Sequence, residues 1–254
     1  MGRGELVHDQ VTRAVRRLSA RGRYWFDQRH LFYELRRRGQ LPPAVAEADA
    51  EDEMERFCTV LATYEGDHGR LERLVRPEAL PDLSDPPPLP DDVLDYAVRR
   101  VIVCQHLDTL LCFAKSGFMH KMVVALVTLD GFPGHVWGRL RAQLDAGLRT
   151  TFYALHDCTG EGYGLAAAVA HHLKGWAGAR TVDAGLHLTH AMELGVPLRR
   201  GQPVALNDEL TAESDEARMV AGGSYAHFEA IRPLRGMRWV YSRLHRRAED
   251  AGFG

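Results

Sequence analysis

The chain has 254 residues, 45% of them hydrophobic and 26% charged, with a formal net charge of −2, the proportions of a globular protein able to bury a sizeable core. Its longest apolar run, around Met122 to Leu129, is far below the roughly 20 residues that a bilayer-spanning helix needs. Cys58, Cys104, Cys112 and Cys158 form no C-x-x-C pair, so reduced thiols in the cytoplasm are expected, without disulfides or a cysteine-bound zinc.

Charge is unevenly distributed. Residues 1–40 hold ten Arg against four acids, net +6, and residues 41–95 hold four Arg against fifteen acids, net −11. The remainder is net +3. A basic N-terminal block suits a phosphate backbone, because each cation that neutralises a phosphate releases counterions.

Val11, Ala14, Val15 and Leu18 recur at helical spacing, which predicts an amphipathic helix over 6–20 with Arg13, Arg16 and Arg17 off its apolar stripe. Residues 23–26 read as a short extended piece. Asp27 is a candidate N-cap for a helix from Gln28 to Arg38, and Gly39 its terminator. At about 100° per residue, Arg29, Tyr33, Arg36 and Arg37 share one arc and Leu31 and Leu35 the opposite side. A phenol set among guanidinium groups could stack, donate a hydrogen bond or attack a phosphodiester as phenolate. Met54, Phe57, Cys58 and Leu61 mark a further helix. Helices with a brief extended piece are compatible with a winged-helix-like module over 1–77. Six of the twelve prolines then crowd between Pro77 and Pro90, so 78–95 reads as a linker.

From residue 96 extended and helical segments alternate: strands at 98–104, 122–129, 150–156 and 179–183, helices at 107–118, 135–147 and 163–175. Such alternation predicts an α/β domain over 96–254 with a mostly parallel sheet. Past residue 200 only a terminal helix, 238–250, is expected. Val101 to Asp108, Leu126 to Pro133 and Tyr153 to Gly162 are apolar strands that run into polar ends, where open α/β sheets bind ligands.

In this order and spacing the three segments resemble the Toprim domain of the topoisomerase VI A subunit and its meiotic double-strand-break relatives. Arg29-His30-Leu31-Phe32-Tyr33 is similar to the family's Arg-x-x-Tyr-Tyr, in which the second tyrosine joins covalently to DNA. The resemblance covers roughly 5–75 and 96–200. It implies a winged helix followed by a Rossmann-like Toprim domain, and a homodimer on double-stranded DNA with an ATPase partner subunit. It assigns Tyr33 as nucleophile, Arg29 as its phosphate-steadying neighbour, and Arg13, Arg17, Arg36 and Arg37 as DNA contacts. Mg²⁺ would be held by Asp157, with Gln105 where the family has Glu, Thr159 where it has a second Asp, and Glu161 nearby. Neutral Gln and Thr remove two of three negative charges, so weakened or lost cleavage in a DNA-processing or defence subunit is the leading expectation. An active tyrosine-dependent DNA-cleaving enzyme is the alternative. A third expectation is a nucleotide-binding enzyme that uses the Gly160-Glu161-Gly162-Tyr163-Gly164 loop at a helix N-terminus. The His171-His172 and His187/His190 pairs read as surface or core histidines, without a carboxylate at recognisable metal-binding spacing.

Overall fold

The computed structural model describes residues 5–49, 52–76, 97–205 and 215–249. The expected linker, 78–95, lies outside them. Four helices come first: α1 (His8–Leu18), α2 (Gln28–Arg37), α3 (Pro43–Ala46) and α4 (Glu53–His68). Asp27 does cap α2, accepting the His30 N–H while the His30 ring accepts the Asp27 N–H, and Gly39 takes the left-handed conformation (φ 61°) that ends it. Among the described residues, the expected extended piece reduces to a lone parallel bridge between Phe26 and Leu74.

The second part alternates as expected. It runs β1 (Arg100–Cys104), α5 (Leu107–Lys115), α6 (Phe118–Met122), β2 (Ala125–Thr128), α7 (Gly134–Asp145), β3 (Thr150–Leu155), α8 (Gly160–His172) and β4 (Ala179–Asp183). Then come α9 (Leu188–Glu193), β5 (Arg199–Arg200), α10 (Asp215–Ala221), β6 (Ser224–Tyr225), a 3-10 turn (Phe228–Ala230) and α11 (Pro233–Glu249). The first four strands form one sheet in the order β2-β1-β3-β4, every pair parallel. The terminal helix starts five residues before the expected 238, at Pro233, since proline is well suited to a first helical position.

Strand side chains alternate between the two faces of this sheet. Val101, Val103, Ala125, Val127, Phe152 and Ala154 pack with Trp137 and Leu140 of α7 and Val169 of α8. Ile102, Cys104, Leu126, Tyr153 and Leu155 pack with α5, with Leu31, Phe32 and Leu35 of α2, and with Val240 and Leu244 of α11. Both faces being covered explains the continuous apolar runs of the strands. The same parity carries past β3: His156 continues the α7–α8 side and Asp157 the α2 side.

In this strand order the direction of winding reverses between β1 and β3, and a crevice opens there at the carboxyl ends. Gln105, His106 and Asp157 follow those two strands. A second backbone pairing completes the crevice. Cys158 and Ala226 exchange both backbone hydrogen bonds, each 2.9 Å, which brings His227, Phe228 and Glu229 to the same point.

Candidate functional site

Asp157 is the centre of the crevice and is only 1% exposed. Its Oδ2 accepts from His106 Nε2 (3.0 Å) and His227 Nδ1 (2.8 Å), and its Oδ1 from the Phe228 N–H (2.6 Å). Burial by itself would raise its pKa. The hydrogen bonds and charge of His106 and His227 outweigh that and hold the carboxyl well below the usual range. His106 moves the other way: burial would lower it, but Asp157 and Glu229 hold it above the ordinary imidazole value. Gln105 faces the same carboxylate residue, its Oε1 accepting the Asp157 N–H at 2.9 Å.

Arg29 reaches this cluster from α2. Its Nη1 lies 3.3 Å from His106 Nε2, 3.8 Å from Asp157 Oδ2 and 4.0 Å from Glu229 Oε2. Glu229 is buried, its Oε1 accepting from the Thr109 hydroxyl at 2.6 Å while Oε2 has no hydrogen-bond partner among the described residues. Asp108 sits beside them with a buried Oδ1 that has no hydrogen-bond partner among the described residues. Burial and the charges of Asp27 and Glu229 push its carboxyl up to about 6.

The expected magnesium ligands are brought only partly together. Asp157 and Gln105 meet, but the Gln105 oxygen is committed to backbone. Thr159 is the N-cap of α8, its hydroxyl accepting the Gly162 N–H at 3.0 Å, and the Glu161 side chain is exposed in the first turn of that helix. Asp157, His227 and Glu229 are close enough to share an ion. Mg²⁺ prefers a shell of oxygens, however, and here both Asp157 oxygens are engaged, two imidazoles intrude, and the guanidinium of Arg29 already supplies positive charge between the carboxylates. The residues do not fit a resident Mg²⁺.

The side chains of α2 do not divide into the expected polar arc and apolar side. Six consecutive residues of the helix, His30 to Leu35, are buried, because α1, α4 and the 228–230 turn cover it from several sides. Tyr33 is 5% exposed, its ring 5.1 Å from Phe32 and 6.1 Å from His227, its hydroxyl bonded to Arg199. Burial drives the phenol's pKa upward, and Arg199 only partly opposes this. The expected phenolate is therefore disfavoured.

Three of the four expected DNA-contacting arginines are engaged internally. Arg17 (2.7 Å), Arg37 (2.8 Å) and Arg232 (2.9 Å) all bind Glu34, which is 0% exposed. Arg36 and Arg199 bracket the buried Glu53. Arg13 is exposed on α1. Within the glycine loop Gly162 has a packing explanation, since a Cβ there would lie 2.2 Å from the Asp157 carbonyl oxygen, whereas one on Gly164 would meet nothing within 4 Å.

A different surface gathers cations around aromatic rings. Ala20, Arg21 and Gly22 are three successive residues at positive φ (44°, 62° and 85°), and the Ser19 hydroxyl accepts the Gly22 N–H at 3.0 Å. This turn leads into Tyr24 and Trp25, and the Trp25 N–H donates to Ser116 Oγ at 2.9 Å. Lys115 Nζ lies 4.5 Å and the Arg73 guanidinium 5.2 Å from the Trp25 ring centre, and Lys121 Nζ lies 5.9 Å from that of Tyr24. Arg21, Arg23, Arg73, Lys115 and Lys121 are all exposed.

His106, His227 and Glu229 were not singled out as site residues from the sequence. His106 carries a local signal, the first residue past Gln105 at a strand end. The other two arrive through the Cys158–Ala226 pairing, 68 positions apart, for which no local pattern exists. Compared with known proteins, the chain matches no family model and no curated protein.

Proposed function

We propose that the chain is a nucleic-acid-binding protein of the kind its resemblance to the topoisomerase VI A family implies, with metal-dependent cleavage lost. The face built from Arg21, Arg23, Tyr24, Trp25, Arg73, Lys115 and Lys121 carries this proposal. Exposed cations interleaved with aromatic rings suit a phosphate backbone and its bases, the cations neutralising phosphates and the rings offering stacking surface. The loss of cleavage is supported by Arg29 lying between Asp157 and Glu229 and by the buried, raised phenol of Tyr33. The former catalytic corner then fastens α2 to the sheet.

Fluorescence anisotropy with labelled duplex DNA tests the binding half. Charge reversal at Lys121, Arg73 or Arg21 is expected to weaken binding and to reduce the slope of log K against log salt by roughly one for each phosphate contact removed. Equal affinity in all three variants would refute the assigned face. Incubation of the protein with supercoiled plasmid and Mg²⁺ or Mn²⁺, followed by denaturation, is expected to give no covalent adduct. Adducts lost on Tyr33→Phe would restore the cleaving-enzyme alternative.

A further inference from the structure

We propose that His156, Asp183 and His187 form a binding site for a divalent transition metal of the zinc class, just past the carboxyl ends of β3 and β4, separate from the Arg29 cluster and independent of nucleic-acid binding. Their candidate ligand atoms all lie within 4.8 Å of one another. His156 Nε2 is 3.1 Å from Asp183 Oδ1, and His187 Nε2 is 3.1 Å from Asp183 Oδ2. These are spacings that neighbouring ligands on one tetrahedral ion adopt, each about 2.0–2.2 Å from the metal. Imidazole and carboxylate suit zinc and its neighbours better than Mg²⁺.

The orientation of His156 is the second observation. Its Nδ1 lies 2.7 Å from the Asp157 carbonyl oxygen, an acceptor only, so Nδ1 carries the proton and donates it. In the neutral ring Nε2 is then a bare lone pair, aimed at a carboxylate oxygen 3.1 Å away. Two lone pairs at that distance require a cation between them, a metal or a second ring proton. A backbone carbonyl that fixes the far nitrogen of a histidine is the usual outer support of a metal ligand. The chain also makes room for this ring. A Cβ on Gly185 would lie 2.1 Å from it and one on Gly162 3.0 Å from its Nδ1.

His187 has a corresponding outer partner. Its Nδ1 is 3.8 Å from Glu216 Oε2, so a carboxylate is available to that nitrogen when Nε2 binds a metal. In the metal-free arrangement the His187 ring caps α9 by accepting the His190 N–H, a bond that metal binding exchanges for the Glu216 contact. The Asp183 side chain is 32% exposed and that of His187 23%, which leaves a path from solvent. The carboxylate missing from the histidine pair in the sequence is Asp183, four residues before His187.

Zinc titration of the full-length, chelator-treated protein by calorimetry, with Co²⁺ as a spectroscopic probe, tests the site. The expected result is a single ion per chain, a visible Co²⁺ absorption of tetrahedral type, and a zinc-dependent rise in Tm that Mg²⁺ does not reproduce. His187→Ala and Asp183→Asn are each expected to abolish the Co²⁺ band, and Glu216→Gln to weaken zinc about tenfold. Circular dichroism checks the fold of each variant, and the partly exposed Asp183 provides a second test if His187→Ala does not fold. Zinc binding that survives both substitutions overturns the proposal, as does a folded wild-type chain with no zinc-dependent change. Duplex affinity is expected to be the same with and without zinc, so failure here is distinguishable from failure of the nucleic-acid reading.

Discussion

The guanidinium of Arg29 stands 3.8 Å from the Asp157 carboxylate, so a residue of the second helix closes the crevice at the carboxyl edge of the sheet. The pair joins segments 128 positions apart in the chain. It sets a fixed positive charge within 4.0 Å of both Asp157 and Glu229.

Arg29→Ala is expected to lower stability by about 2 kcal/mol, the scale of hydrogen bonds and contacts to charged groups. It leaves Glu229 Oε2 and the Asp157–His106 pair without that charge. Arg29→Lys should cost less, because it keeps the charge and loses only the planar fork. Urea unfolding measures both, and an unchanged midpoint in the alanine variant would contradict the fastening role.

Glu34 is a stronger case. It binds Arg17, Arg37 and Arg232, so α1, α2 and the start of α11 meet on one buried carboxylate. Glu34→Ala leaves three guanidinium groups facing one another without an anion and is expected to cost about 3–5 kcal/mol. Glu34→Gln keeps the shape and should lie between. Loss of cooperative melting in the alanine variant is the readout.

Asp108 gives a pH dependence of definite sign. Burial, Asp27 and Glu229 raise its carboxyl from 3.8 to about 6, with Arg29 and His106 as the opposing cations. The folded chain thus holds a proton that the unfolded chain has already released. That contribution is complete below about pH 4 and is lost as pH rises through about 6. Asp108→Asn cannot lose it. The variant is expected to melt above the wild type at about pH 7.5 and level with it near pH 4, which a series of thermal scans would check.

Gly185→Ala is expected to destabilise by about 1–3 kcal/mol, the usual cost of overpacking. The new Cβ would meet the His156 ring at 2.1 Å, and the ring is pinned by Asp157 and Asp183. The same substitution should weaken zinc binding by turning His156, whereas Gly164→Ala, with open space around it, should do neither. Calorimetric melting with and without zinc separates the two.

Much of the fold was legible because its signals are local. β3, expected at 150–156, runs Thr150–Leu155, and β4 was placed at 179–183 as found. The Asp27 cap and the Gly39 terminator were readable from residue type alone. The rotation of α2 was not. Periodicity identifies an apolar stripe but not how many neighbours surround a helix, and α2 is covered on enough sides to bury Tyr33 and Glu34 as well as Leu31 and Leu35. Of the candidate site, the ends of β1 and β3 were found, and Gln105 and Asp157 do meet. The partners that decide its chemistry, Arg29 in its actual role, His227 and Glu229, come together only through pairing across the length of the chain.

Leu6 and Leu244 belong to the same apolar cluster, so the beginning and end of the described chain share one interior. Separating the N-terminal helices from the sheet is expected to open that interior. Either piece, expressed alone, is expected to present a broad greasy wall to water. Heat should accordingly dismantle the molecule in one cooperative step.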